Sequence, residues 1–375
     1  MDKTNKPGEI MRLFLKLGFI AFGGPAAHIA LLQQEVVQKR KWMEQSHFLD
    51  LVGATNLIPG PNSTEMVMHC GYERGGRTGM IVAGISFILP AVTITAILSW
   101  LYASYGQLPA LEPFLYGIKP AVLAIIFSAA YSLGKTALKN KELAVLGLIV
   151  LAACIAGLNE IIALFGAGII GLLLYALRRP AGINSFFPFF FLQVMQPVMN
   201  IDNTKIFLSF LKIGAILYGS GYVLFGFIDA EMVSKGWLSK QVLIDAIAAG
   251  QFTPGPVLST ATFIGWQLNG WQGAILATIG IFLPSFLFVA LLNPLVPKIR
   301  KSGWISAFLD AVNIASVAII FAVGIEMSVE TLTSLRMIII AIISTVILLK
   351  FPKLNSAYII AGSALLGYII HILNI

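Results

Sequence analysis

An all-helical, polytopic membrane fold is predicted, made of two inverted-topology repeats with broken helices at Gly-Gly-Pro and Pro-Gly-Pro motifs. Three observations predict it. Of 375 residues, 58% are hydrophobic and only 11% charged, against roughly 25% charged in soluble domains. Apolar segments recur along the whole chain, many near the roughly 20 residues that a helix needs to cross hydrocarbon. The chain also repeats itself. Lys16-Leu17-Gly18 aligns with Lys212-Ile213-Gly214, and Gly23 with Gly219, at an offset of 196. Trp42 then meets Trp237, Asp50 meets Asp245 and Pro59-Gly60-Pro61 meets Pro254-Gly255-Pro256 at 195, and Leu89-Pro90 meets Leu283-Pro284 at 194. So small a drift through Gly, Pro and Trp positions marks a tandem duplication.

The first repeat, residues 1–180, opens with two interrupted apolar segments, 12–38 and 46–73. Their breaks fall at Gly23-Gly24-Pro25 and Pro59-Gly60-Pro61, where proline removes a backbone donor and glycine loosens the chain. Four continuous segments follow at 79–103, 113–134, 142–158 and 160–177. The lysine-bearing head before LFLKLGFIAF resembles a secretory signal, but its pattern recurs at Lys212, so it is read as a permanent element. Residues 181–204 form a linker, in which 183–199 is apolar enough for an extra crossing. The second repeat, 205–375, carries interrupted segments at 206–232 and 240–268 and continuous ones at 272–293, 305–327, 333–350 and 356–374.

Lysine and arginine in short loops stay on the cytoplasmic side. That rule puts Arg74, Arg77, Lys135, Lys139, Lys141, Arg178 and Arg179 inside in the first half. Lys298, Arg300, Lys301, Lys350 and Lys353 land inside only if the second half begins outside, which makes the repeats inverted. Each interrupted pair admits two readings of equal parity, re-entrant hairpins or full crossings. Lys39, Arg40 and Lys41 favour hairpins in the first half, whereas Lys235 and Lys240 favour crossings in the second.

Several function classes drop out. The net charge of +8 reflects cytoplasmic loops rather than a nucleic-acid surface. Cys70 and Cys154 lie in apolar runs without metal-ligand spacing, so no metal or cofactor is expected. HExxH and GxSxG are absent and no intramembrane aspartates cluster, which argues against an enzyme.

Breaks in apolar helices expose amides that hydrocarbon cannot satisfy, so they survive where protein or a polar cavity surrounds them. Two breaks at matching positions of two repeats point to a site near the bilayer midplane. Helix N-termini after Pro25, Pro61 and Pro256 would turn N–H groups and a positive dipole end towards it. Asn62 and Ser63 follow the first Pro-Gly-Pro and Ser259 the second, adding neutral donors. The candidate substrate-binding set is therefore Gly23, Gly24, Pro25, Asn56, Pro59, Gly60, Pro61, Asn62, Ser63, Gly219, Ser220, Gly221, Gln251, Pro254, Gly255, Pro256 and Ser259, with Lys16 and Lys212 as charge-balancing ammonium groups. For the lysines, snorkelling to the interface is the competing reading.

Glu65 and His69 stand four residues apart on one helix face, where the second repeat has Thr260 and Ile264. They are the candidate proton-coupling pair. His28 has no counterpart, since Leu224 stands opposite it, and it ranks lower. Asp50, Asp245, Glu35 and Glu231 read as interfacial caps and anchors.

With Phe22-Gly23-Gly24-Pro25-Ala26-Ala27-His28, the Glu35 to Trp42 run, Asn56-Leu57-Ile58-Pro59-Gly60-Pro61 and their echoes in place, the whole chain resembles a long-chain, two-repeat member of the chromate ion transporter family. The resemblance implies movement of chromate, usually outward, with sulfate as the related tetrahedral dianion. The second half departs from the pattern, with Gly219-Ser220-Gly221 in place of Gly-Gly-Pro and Gln251 in place of Asn56. Efflux also fits the energetics. An interior-negative potential is worth about 2.3 kcal/mol per charge per 100 mV, so it drives a dianion out. The expected partners are an inorganic oxyanion and membrane lipid, with a homodimer as a further expectation. The expected location is the inner membrane.

Overall fold

Proline, glycine and N-capping side chains set the element boundaries in the computed structural model, which describes residues 6–22, 25–55, 58–106, 108, 111–178, 202–219, 221–292, 303–351 and 354–373. Helix α1 (Lys6–Ile20) stops before the first Gly-Gly-Pro. Helix α2 (Pro25–Leu32) runs on into a π-helical turn, Gln33–Lys39. Helix α3 (Gln45–Thr55) ends short of Pro59-Gly60-Pro61, and α4 (Asn62–Tyr105) begins directly after it, with Pro61 as an extended N-cap (ψ 99°).

Helix α4 is two limbs. Gly75 and Gly76 leave helical geometry, Gly76 at φ +62°, a region that glycine enters without the Cβ penalty. The limbs then lie so close that a Cβ on Gly71 would strike the Gly79 carbonyl. The sequence reading had separated 46–73 from 79–103, and this reversal between Arg74 and Arg77 is the boundary.

Helices α5 (Glu112–Ala137), α6 (Lys141–Ile155) and α7 (Glu160–Arg178) follow. Asn140 caps α6, accepting from the Leu143 N–H at 2.9 Å, which satisfies one of its orphan donors.

The second half follows the same plan. Helix α8 (Asn203–Ile216), capped by Asp202, ends before Gly219; α9 (Val223–Ile228) runs into the π-helical Asp229–Val233. Helix α10 (Lys240–Phe252), capped by Ser239, leads to Pro254-Gly255-Pro256. Helix α11 (Thr260–Leu292) again holds two limbs, reversing at Asn269 and Gly270 (φ +54°), with Gly265 against Gly273. Helices α12 (Gly303–Thr331), α13 (Leu335–Lys350) and α14 (Ser356–Ile372) complete the described chain. The linker stretch 183–199, proposed as an extra crossing, lies outside the described residues.

Interactions near the helix ends show which ends lie together. Arg74 pairs with Glu9 at 2.8 Å and stacks over Trp42, while His47 reaches Glu73 at 3.4 Å. The start of α1, the end of the π-helical turn, the start of α3 and the end of the first α4 limb therefore share one face. In the second half Asn269 donates to Asn203 at 2.7 Å, and Lys235 pairs with Glu231 at 2.7 Å beneath the Trp237 ring. The second limbs of α4 and α11 pack against each other. A Cβ on Gly84 would meet the Phe286 ring. Thr95 and Ser99 of the second α4 limb reach Ser259, Phe263 and Gln267 at the start of α11 in rising order, so the first α11 limb runs parallel to it and the second, which doubles back at Asn269 and Gly270, runs antiparallel.

Among the described residues, six helices are long and apolar enough to cross a membrane. They carry outward apolar side chains that water would penalise, such as Leu177 at 79% and Val329 at 79% exposed, and lipid accommodates these. Helix α12, packed on α5, α6 and α7, supplies the most buried of the six.

Candidate functional site

Each Pro-Gly-Pro turn is held by the other half of the chain. The Gly60 N–H donates to the Leu217 carbonyl at 2.7 Å, and the Gly255 N–H donates to the Ala21 carbonyl at 2.8 Å. Leu217 and Ala21 are themselves equivalent positions, each just before the first break of its half. Positive φ at Gly60 (+142°) and Gly255 (+96°) aims these amides across the interface, and few side chains tolerate it.

Beside the two Pro-Gly-Pro turns is a small cavity lined by His28, Pro61, Ser63, Gly221, Tyr222, Pro256, Val257 and Leu258. Three of the breaks contribute Pro61, Gly221 and Pro256 to it, and His28 comes from α2. It measures about 10 Å³, the threshold for one water, so a tetrahedral oxyanion enters only if the turns separate.

Pro61 and Pro256 stand as N-caps of the α4 and α11 entries, so first-turn amides of both helices face this region. Such an arrangement attracts anions through the helix dipole and the amides that lack an intrahelical acceptor.

His28 adds a ring whose Nε2 lies 3.0 Å from the same Ala21 carbonyl that receives Gly255. Nε2 must donate there, because a carbonyl only accepts. Nδ1 is buried without a hydrogen bond. A second proton on the ring would sit at Nδ1 and offer a charge-assisted donor.

Of the residues proposed from sequence, Pro61, Ser63, Gly221 and Pro256 line the cavity. Pro59, Gly60, Pro254 and Gly255 are buried behind it. Asn62 is half-buried at the start of α4, and Gly219 packs on Ser316. Ser259 accepts from Thr95 at 3.2 Å, and Gln251 accepts from Tyr222 at 3.5 Å. Gly23, Gly24, Asn56 and Ser220 lie outside the described residues, and Pro25 is described only as the first residue of α2.

Lys16 is exposed on α1, and Lys212, 43% exposed, pairs with Glu231. Neither lines the cavity. Glu65 and His69 are fully buried on the first α4 limb, also outside the lining. Glu35 holds Lys39 at 2.8 Å and also Arg40, and Glu231 holds Lys212 and Lys235, so both carboxylates anchor the base of a π-helical turn.

His28 and Tyr222 are cavity residues that the sequence ranked low or passed over. Tyr222 directly follows the Gly219-Ser220-Gly221 turn, and that adjacency was the available signal. His28 was discounted for lacking a repeat counterpart, although a site between unlike halves has no need of one.

Apolar helices around a buried, glycine- and proline-lined cavity make this a multi-pass membrane protein. The chain belongs to the chromate transporter family: the model of that family, described as chromate transporter, matches residues 8–172 and again 204–368. A chromate transport protein of Cupriavidus metallidurans is 30% identical over 372 residues, covering 96% of this chain and 92% of its own length. A probable chromate transport protein of Synechococcus elongatus is 30% identical over 373 residues, covering 96% and 95%. An uncharacterised transporter of Methanocaldococcus jannaschii is 28% identical over 390 residues, covering 99% and 96%. These relatives are named as transporters rather than enzymes. No solved structure matches the chain.

Proposed function

We propose that this protein carries chromate outward across the inner (cytoplasmic) membrane, by alternating access around the two Pro-Gly-Pro turns. The observation that carries this reading is the reciprocal pair of backbone bonds, Gly60 to Leu217 and Gly255 to Ala21, on either side of one cavity. Breaking one bond of the pair would open the cavity on one side while the other stays shut. Support for chromate as the cargo comes from the family and from the names of the relatives. The neutral lining, with two helix entries and no fixed cation, suits an ion that must also leave.

In this reading the repeats have inverted topology, and all four interrupted segments are re-entrant hairpins. The Glu9–Arg74 and His47–Glu73 pairs support hairpins in the first half, and Asn203–Asn269 supports them in the second. Lysine positions alone had favoured crossings there. The antiparallel second limbs of α4 and α11 support the inversion.

Glu65 and His69 are the proposed proton-coupling pair, because both are fully buried beside the first turn and the second repeat has Thr260 and Ile264 instead. Membrane potential and proton exchange would then both favour efflux.

Everted vesicles test the direction: chromate should accumulate inside them under an imposed potential, and accumulation only in right-side-out vesicles reverses it. Sulfate is the second reading, since it shares charge and shape. Competition of chromate flux by sulfate, molybdate and phosphate separates the two, and preferred competition by sulfate would reassign the cargo.

A further inference from the structure

We propose that Ser285 of the second repeat completes a proton site with Glu65 of the first, so that proton binding and release of the Gly60–Leu217 contact are linked. The proposal rests on the reading of Glu65 as a coupling residue given above.

Glu65 and Ser285 are both fully buried. Both crowd Gly60: a Cβ built there would collide with Glu65 Oε1 and with Ser285 Oγ. The serine hydroxyl is in reach of the carboxylate, yet neither group makes a hydrogen bond of normal geometry in this arrangement. Among the described residues no cation pairs with Glu65. Buried polar groups are nearly always satisfied, and a buried charge without a partner is costlier still. Two unsatisfied oxygens meeting across a repeat boundary therefore call for a function.

The equivalent place in the other half is neutral. Thr260 replaces Glu65 and Ala91 replaces Ser285. Thr260 donates to its own Val257 carbonyl at 2.8 Å, and Ala91 offers only a methyl against Gly255. The device exists on one side of the molecule.

Other charges are remote or engaged. Helix α11 carries no titratable residue. The Tyr218 phenol stands near Glu65 just before the first break of the second repeat, and His69 lies one turn further along α4. On α1, Glu9 is held by Arg74 at the far end of the limb, and Arg12 and Lys16 are exposed. On α2 His28 lines the cavity; on α3 His47 pairs with Glu73, and Asp50 is exposed. On α10 Asp245 is engaged by Tyr102, and Lys240 by Glu326.

Serine suits both states because its hydroxyl donates and accepts. With Glu65 ionised, the Ser285 O–H donates to the carboxylate. With Glu65 protonated, the carboxyl O–H donates to Ser285 Oγ. The proton comes from water on the side to which the cavity opens and returns to water on the other, and no other bond changes.

Infrared difference spectra of the full chain in proteoliposomes, recorded across pH, supply the test. A protonated-carboxyl band should vanish in Glu65→Gln. In Ser285→Ala, which copies the Ala91 side, it should persist at a shifted frequency, and the pH of half-maximal chromate flux should move by about one unit, tenfold in proton concentration. An unmoved band with an unmoved pH profile overturns the role of Ser285 and leaves the coupling reading standing. A full set of carboxyl bands retained in Glu65→Gln, with normal pH dependence, removes the coupling reading as well. If Ser285→Ala fails to accumulate, Ser285→Thr keeps the hydroxyl and should hold the wild-type band and profile; a shift there overturns the proposal.

Discussion

Gly60 donates its backbone N–H to the carbonyl of Leu217 at 2.7 Å, and the bond joins the second break of one half to the first break of the other. Its counterpart from Gly255 to Ala21, at 2.8 Å, closes the same junction from the opposite direction. Both bonds depend on glycine, through positive φ and through the lack of space for a Cβ.

Gly255→Leu or Gly60→Leu should abolish chromate flux while leaving the protein in the membrane. Leucine at these φ values costs on the order of 1–3 kcal/mol in backbone strain. At position 255 its Cβ would also sit 2.9 Å from the Ala91 Cβ. Flux in vesicles, normalised to protein by immunoblot, is the measurement, and wild-type flux in either variant would remove that glycine from the mechanism.

Ser63→Cys should react with a membrane-impermeant anionic thiol reagent, and sulfate should protect it. The background is low because Cys70 and Cys154 are buried outside the cavity lining, whereas Ser63 is part of it and becomes accessible when the turns separate. Labelling that ignores sulfate at every concentration would separate the cavity from the transport path.

His28→Ala should leave the half-saturation concentration for chromate close to the wild-type value, because a neutral imidazole whose Nε2–H is committed to the Ala21 carbonyl has no donor left for the ion. It should weaken the junction by about 1 kcal/mol, because the Ala21 carbonyl loses one of two donors. Transport kinetics and thermal melting in detergent read the two effects separately.

Lys16→Ala is expected to weaken apparent affinity through lost long-range attraction for the anion. Lys212→Ala should change affinity little, since that ammonium is committed to Glu231, and should cost at least about 1 kcal/mol of stability, because Glu231 is buried, while Lys235 remains as its partner. Equal half-saturation in the wild type and Lys16→Ala would make Lys16 an interfacial anchor.

Most helices were legible in the sequence because apolar length and loop charge are local properties. The segment expected at 113–134 is Glu112–Ala137, and that at 160–177 is Glu160–Arg178. Which side chains meet across a break was not legible, because residues equidistant from a turn pair only if the chain turns back there, and loop charge left hairpins and crossings open. His47 and Glu73 each stand thirteen positions from Gly60. Glu9 reaches Trp42 and Arg74 by the same folding. The π-helical turns at Gln33–Lys39 and Asp229–Val233 had no sequence signal that helical periodicity would register. The doubled Pro-Gly-Pro stands at the cavity, since turn chemistry is written in the residues that make it, but His28, Gly221 and Tyr222 reach the lining from chain distant from either Pro-Gly-Pro.

Because both bonds of the junction join main-chain atoms, they call for no particular side chain beyond the two glycines. Evolution was therefore free to differentiate the duplicated copies, giving one an ionisable buttress and the other a neutral one, without losing the mutual clasp. A molecule that began as two interchangeable parts could in this way acquire a direction.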